Sequence, residues 1–343
     1  MAKSDNKETG KEAAYKTAVQ EIKKNYGSES IISMDDEATR KMEVEFVSTG
    51  CLSLDKVLGG GLPRGRVIEI YGAPSSGKSV LSIYLMAQLQ KLGEKAVLID
   101  AECAFSPAFA EKIGLKVKDM DVCQPSTAEE ALEIVRLLAE SSSVGIVVVD
   151  SVASLVPRAE LEGKLDEKQV APLASLMSKS LRVLTNSISK SKTVVIFINQ
   201  IRDKISFFPS YGPKTVSSGG IALKFYSSVR LEVRKGKNIT LNDETKGEVI
   251  GNFISISAVK NKIAPPFKNC EVELLYERGV DIVADLLDTA LKDEILTRSG
   301  NTISYGEVKL GVGREQAKKF LADEENKKIY KEIYGSVTNS KKS

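Results

Sequence analysis

Apolar and polar positions change their period twice along this chain. Tyr15, Val19, Ile22 and Tyr26 recur at helical spacing and stop at Gly27, which predicts a small amphipathic helix whose single apolar stripe needs a partner surface. The charged stretch MDDEATRKME that follows reads as a linker. From about residue 40, short unbroken apolar runs alternate with helical segments. Val67, Ile68 and Ile70, then AVLID (96–100), GIVVVD (145–150) and TVVIFINQ (193–200), predict strands covered on both faces, as in a mostly parallel sheet. AEEALEIVRLLAES and LASLMSKSLRVLTNSI supply helical patterns between them. Later the period becomes two: Val229, Leu231 and Val233 alternate with Arg230, Glu232 and Arg234, and Ile254 and Ile256 with Ser255 and Ser257. That alternation predicts half-exposed antiparallel strands at the sheet's margin. From about 281, helical segments flank YGEVKLG and predict a small C-terminal α/β lobe. The expected fold is α/β, divided into an N-terminal arm (1–39), a core (40–280) and the lobe (281–343).

One break in the pattern is chemically informative. Between the strand ending near Ile70 and the helical run Val80, Leu81, Tyr84, Leu85, Leu89 stands Gly72-Ala73-Pro74-Ser75-Ser76-Gly77-Lys78-Ser79. This is the P-loop spacing G-x-x-x-x-G-K-[ST] in its strand–loop–helix context. Glycines let backbone N–H groups converge on an anion where a helix begins. Lys78 is expected on the β- and γ-phosphates of ATP and Ser79 on Mg²⁺. The plainer alternative is a Gly/Ser turn with an exposed lysine.

Polar residues cluster at the C-terminal ends of the predicted strands: Asp100 and Glu102, Asp150 and Ser151, Asn199 and Gln200. In open α/β sheets that edge binds ligands, so these groups are expected to face one nucleotide. Asp150 stands where P-loop enzymes place the carboxylate that orients Mg²⁺; a helix N-cap is the alternative. Glu102 is the best candidate for the base that takes a proton from an attacking water, against a solvated turn glutamate.

Two connections are long. LEGKLDEKQVAP (161–172) interrupts the alternation, and DKISFFPSYGPKTVSSGG (203–220) has neither period. The second mixes Phe207, Phe208 and Tyr211 with Lys204 and Lys214, just after Arg202. Aromatic and basic residues so interleaved suit single-stranded nucleic acid; a lid packed on the body is the other reading. Lys260 and Lys262 share a strand face by their spacing, which fits a solvated face as well as phosphate contacts on another subunit.

Composition narrows the chemistry. At 343 residues the chain can hold more than one domain. The sequence has no histidine, which excludes a Ser-His-Asp triad and leaves carboxylate, lysine and Mg²⁺ chemistry. A net charge of +3 makes any nucleic-acid site local. The four cysteines show no C-x-x-C, the N-terminus is not a signal peptide, and no apolar run nears the ~18 residues of a membrane span. A cytoplasmic protein with no membrane partner is expected.

These pieces together resemble the RecA family of bacterial homologous-recombination recombinases. The resemblance runs nearly the whole chain, through STGCLSLDKVLGGGLPRGRVIEIYGAPSSGKS, LIDAECA, VVVDSVASLVPRAELEG, FINQIRDKI, SGGIALKFYSSVRLEVR and VKNKIAPPFK, in family order. It implies a RecA-type ATPase core with an oligomerisation arm and a duplex-binding C-terminal lobe. It implies a DNA-dependent ATPase that uses ATP and Mg²⁺, forms helical filaments on single-stranded DNA and exchanges strands with homologous duplex DNA in recombinational repair. An SOS-type repressor is a further implied partner. By the resemblance, Glu102 activates water, Asp150 serves the metal, and Gln200 senses the γ-phosphate. Segments 161–172 and 203–218 become the DNA-binding loops, with Val170 and Ile205 wedged into the strand and Gly219 and Gly220 adjoining the second. Phe109 and Tyr276 fall at the adenine-sandwiching positions, Phe225 at a subunit contact, and Lys260 and Lys262 at positions that reach a neighbour's ATP. The chain departs from the family pattern at Pro74 (usually glutamate), Cys103 (usually histidine), Ser106 (usually an acid) and Val170 (commonly methionine). Its last 43 residues, 301–343, carry nine basic and six acidic groups in place of an acidic tail. Rival readings are an ATP-binding filament scaffold without strand exchange, and a P-loop helicase or clock-type ATPase.

Overall fold

The structure, a computed structural model, describes residues 2–28, 30–32, 34, 43–163, 172–203, 215–217, 219–241 and 247–339. It divides into two compact units, Met1–Glu45 and Phe46–Ser343. Among the described residues the first holds one helix, Ala2–Tyr26, which begins well before the apolar spacing does. It stops at Gly27, whose φ is +96°, and leaves Tyr15 and Tyr26 exposed. Most of the expected linker, 35–42, lies outside the described residues.

In the second unit, β1 (Phe46–Val47) and β2 (Leu62–Pro63) form a short antiparallel pair. The large sheet contains β3 (Val67–Gly72), β4 (Lys95–Asp100), β5 (Met120–Cys123), β6 (Val144–Asp150), β7 (Val194–Asp203), β9 (Val229–Thr240), β10 (Val249–Asn261), β11 (Asn269–Leu275) and β12 (Gly279–Val280). β8 (Thr215–Ser217) pairs with β7 alone. The spatial order is β12-β11-β10-β9-β3-β7-β6-β4-β5. The run from β9 to β5 is parallel throughout, and the other margin is antiparallel.

The unbroken apolar runs are explained by cover on both faces. Ile68, Ile70, Ile196 and Ile198 pack with Leu81, Leu85 and Leu89 of the helix Lys78–Lys91. Val67, Val147, Val149 and Phe197 face the other way, onto Leu132 and Val135 of Ala128–Glu140 and Leu181, Leu184 and Ile188 of Pro172–Ser191. Central parallel strands so sandwiched cannot alternate.

Two expectations need correction. β9 is not antiparallel on both sides: it runs parallel to β3 and antiparallel to β10, so it is the seam where the sheet changes sense. The segment 203–220 is not wholly aperiodic. Asp203 still belongs to β7, and Thr215–Ser217 returns against it, pairing Ile201 with Ser217 and Asp203 with Thr215. β-Branched Thr215 and Val216 suit an extended edge, but three residues are too few for a period to be legible.

After β12, the helices Ile282–Lys292, Arg314–Ala322 and Lys327–Asn339 enclose a core with the sheet β13 (Thr297–Ser299), β14 (Thr302–Tyr305) and β15 (Val308–Val312). Leu52 joins this cluster. Asp285 Oδ2 accepts from the Leu52 N–H at 2.5 Å, and Lys318 bridges Glu273 and Asp281.

Candidate active site

β3 delivers the loop Gly72–Ser79 to the C-terminal edge of the parallel sheet, with Gly72 in register with Gln200 of β7. Two glycines there are required. A Cβ on Gly72 would lie 2.1 Å from the Val233 carbonyl oxygen, and Gly77 has φ +95° with Leu274 2.8 Å from where its Cβ would be. Ala73, Pro74 and Ser75 are exposed at the loop's crest, while Ser76 and Lys78 are buried. Ser75 sits at φ +57°, a left-handed conformation uncommon for serine. Lys78 is 6 % exposed and its Nζ donates to the Ala73 carbonyl at 2.7 Å, curling along the loop. This is not the exposed lysine of a plain turn. Burial lowers its pKa, against the opposing pull of Asp150 and Glu102.

Ser79 is hydrogen-bonded to Asp150. Burial pushes the Asp150 carboxyl up to about 6, with Glu102 adding to the rise and the Ser79 bond opposing it. A hydroxyl and a carboxylate, both hard oxygen donors, fit Mg²⁺, which is commonly held by few protein ligands together with substrate phosphates.

Glu102 Oε1 accepts from Gln200 Nε2 at 2.8 Å and from the Ser151 hydroxyl. The residues from three strand ends thus converge on one carboxylate. The expectation that every polar residue of this edge faces the nucleotide is not met at Asn199. Asp100 lines one cavity with Ser79, Glu102 and Asp150, and it accepts from the Ala104 and Phe105 N–H groups and from Gln124, stapling the loop that follows β4. Asn199 is fully buried and points across β3 to Glu69. In both cases a partner within the protein offsets the cost of burial.

That stapled loop carries Cys103, exposed at φ +53°. Ser106 caps the helix Pro107–Lys112 by accepting from the Phe109 N–H at 3.4 Å. Half-buried Phe109 lines a cavity of about 140 Å³ together with Ser79, Met86, Glu102 and Asp150. Tyr276, 37 % exposed, follows β11, and Lys112 pairs with Glu277 beside it at 2.9 Å. The two aromatics therefore lie on neighbouring segments.

Lys260 and Lys262 do share a face. Lys260 Nζ donates to the Phe225 carbonyl at 3.0 Å and Lys262 Nζ to the same oxygen at 3.3 Å. They stand at the other end of the sheet from the P-loop: the Lys262 N–H bonds Ser228 O, and the Ser228 N–H bonds Val67 O where β3 begins. The five steps of strand from Val67 to Gly72 separate the two edges, about 17 Å at ~3.3 Å per step. Phe225 beside them is 66 % exposed. Gly219 and Gly220 lie against Val152 and Ala174. The Arg202 backbone pairs with Val216. Val170, Lys204, Ile205, Phe207, Phe208, Tyr211 and Lys214 lie outside the described residues.

Sequence reading missed Glu69. In VIEIYG it looks like a lone acid in a strand, yet it is 0 % exposed, bonded to Asn199 at 3.0 Å and ion-paired with Arg230. The only signal was its presence at a position that otherwise predicts an apolar side chain.

Comparison with known proteins agrees with this architecture. A RecA N-terminal domain model matches residues 13–281, and a RecA C-terminal domain model matches 284–342. Proteins named Protein RecA are similar over most of their length. That of Lactobacillus acidophilus is 45 % identical over 98 % of this chain and 89 % of the relative. That of Clostridium tetani is 44 % identical over 94 % and 90 %, and that of Chlorobaculum tepidum 47 % over 90 % and 87 %. The crystal structure of the RadB recombinase shares the fold, with a TM-score of 0.50 at 22 % identity over 68 % of this chain and 98 % of that one. With a P-loop, a carboxylate–glutamine pair at one sheet edge and both family domains end to end, the chain belongs to the RecA family of recombinases.

Proposed function

We propose that the chain is an ATP-dependent DNA recombinase that polymerises on single-stranded DNA and exchanges strands with homologous duplex, hydrolysing ATP to ADP and phosphate as it does so. The observation that carries this reading is the bond between Glu102 and Gln200 at the P-loop edge, since Gln200 also begins the stretch that leads to the second long loop. The loop N–H groups and Lys78 bind the triphosphate. Ser79 and Asp150 hold Mg²⁺, which when bound supplies charge neutralisation on the phosphate oxygens. Glu102 takes the proton of the attacking water. Gln200 exchanges its bond to Glu102 for the γ-phosphate and so reports nucleotide state to the DNA loop. Phe109 and Tyr276 flank the base, and the C-terminal lobe binds duplex.

The lysine pair acts on the neighbouring subunit. It lies beside the start of β3, and the P-loop follows that strand's far end, about 17 Å along it, too far for a lysine side chain to span. A head-to-tail contact that does not close yields an open helical filament, in which one subunit's lysines meet the next subunit's phosphates. The deciding experiment mixes the protein with ATP, Mg²⁺, a circular single strand and a homologous linear duplex. Joint molecules are expected. Filaments and DNA-stimulated ATPase without joint molecules would establish the scaffold reading instead.

A further inference from the structure

A row of polar groups crosses four neighbouring strands of the sheet. On β7, Asn199 Oδ1 accepts from the Gln200 N–H at 2.9 Å, and Asn199 Nδ2 donates to Glu69 Oε1 on β3 at 3.0 Å. Glu69 Oε2 accepts from Arg230 Nε on β9. Arg230 in turn is the register partner of Lys260 on β10, and its guanidinium lies 4.6 Å from the centre of the Tyr71 ring. Burial lowers the Lys260 pKa, Lys262 and Arg230 lower it further, and Glu69 opposes them. The four groups therefore sit within one another's fields.

Stability alone is a poor explanation for this row. A buried ion pair is often no better than well-packed apolar side chains of the same volume, and Val67 and Phe197 on the same face of the sheet supply such packing. What the row does have is two functional ends. One is Gln200, at this subunit's own nucleotide edge. The other is the lysine pair at the opposite edge.

We propose that Glu69 is a positioning residue that couples the two nucleotide sites each subunit helps to build. When Gln200 turns toward a γ-phosphate, its N–H shifts the Asn199 side chain, and the Asn199 amide shifts its bond to Glu69. Glu69 then changes its hold on Arg230, whose charge and position set where Lys260 and Lys262 point. Occupancy of one triphosphate site is thereby felt at the next triphosphate along the polymer. This coupling rests on the shared-site reading above.

The test mixes two chains that are each inactive alone. The Glu102→Gln chain keeps its lysines, and the Lys260→Ala/Lys262→Ala chain keeps its P-loop and Glu102. Crosslinking of tagged subunits first establishes that they enter one filament. In equal random mixture, about a quarter of head-to-tail interfaces are complete, and ATPase activity returns. Glu69→Gln is then added to the lysine-donating chain only. The expected result is a loss of recovered activity of about five-fold or more, the scale of an ordinary allosteric coupling, with nucleotide binding and co-assembly unchanged. Because Glu69→Gln strands the Arg230 charge, Glu69→Gln/Arg230→Gln is tested in parallel, and it should lose recovery to the same degree. Full recovery with either variant overturns the role of Glu69 while leaving the shared site standing. No recovery with Glu69 intact refutes the shared site, and the coupling with it.

Discussion

Glu102 Oε1 lies 2.8 Å from Gln200 Nε2, a bond between groups 98 residues apart in sequence. The candidate base and the candidate sensor are therefore partners of each other before either is a partner of phosphate. Gln200 cannot turn away from Glu102 without breaking this bond.

Glu102→Gln should retain ATP and single-stranded DNA binding while turnover falls by about 10²–10⁴, the usual worth of a positioned acid–base group. The amide keeps an oxygen for Gln200 but cannot take a proton. Steady-state ATPase and a DNA-binding titration on the same preparation check this. Turnover near the parent level would remove Glu102 from its assigned role.

Replacing Phe207, Phe208 and Tyr211 by alanine should weaken single-stranded DNA binding by ~1–3 kcal/mol for each base stack lost. Affinity must be compared at one salt concentration, because phosphate contacts are salt-dependent. Unchanged affinity would mean that these aromatics pack as a lid.

The cysteines should separate by reactivity. Cys103 is exposed beside Glu102, whereas burial raises the Cys51 thiol well above its ordinary value and pushes Cys270 up to about 12. The thiolate is the nucleophile. A maleimide at pH 8 should therefore label Cys103 first, Cys270 slowly, and Cys51 only after unfolding. A non-hydrolysable ATP analogue with Mg²⁺ should slow the Cys103 reaction. Peptide mass spectrometry over a time course reads both effects; early labelling of Cys51 would contradict the buried packing.

Asp285→Ala should destabilise the Phe46–Ser343 unit by about 1–3 kcal/mol, the cost of leaving buried donors unmet. Asp285 accepts from the Leu52 and Ser53 N–H groups, 233 and 232 residues away. Asp285→Asn, which retains one acceptor, should lose less. Urea unfolding followed by circular dichroism gives the comparison.

What could be read from sequence was what local spacing encodes. The P-loop and its helix, the strand-end positions of Glu102 and Asp150, and the shared face of Lys260 and Lys262 all depend on neighbours a few residues away. Glu69 was illegible because its partners, Asn199 and Arg230, are 130 and 161 residues distant and meet it only through strand order. The Asp285 cap is hidden for the same reason. β8 escaped because its pairing depends on β7 running past Gln200 to Asp203, which no composition signal marks.

The placement of the P-loop and the lysine pair at opposite edges of one sheet gives a polymer of such subunits two chemically unlike tips. On the proposed shared-site reading, the last P-loop at one tip lacks lysines from a neighbour, and the lysine pair at the other lacks a neighbour's triphosphate. The first tip should hold its ATP unhydrolysed until another subunit lands, while interior sites turn over. Addition and loss should then proceed at different speeds at the two tips.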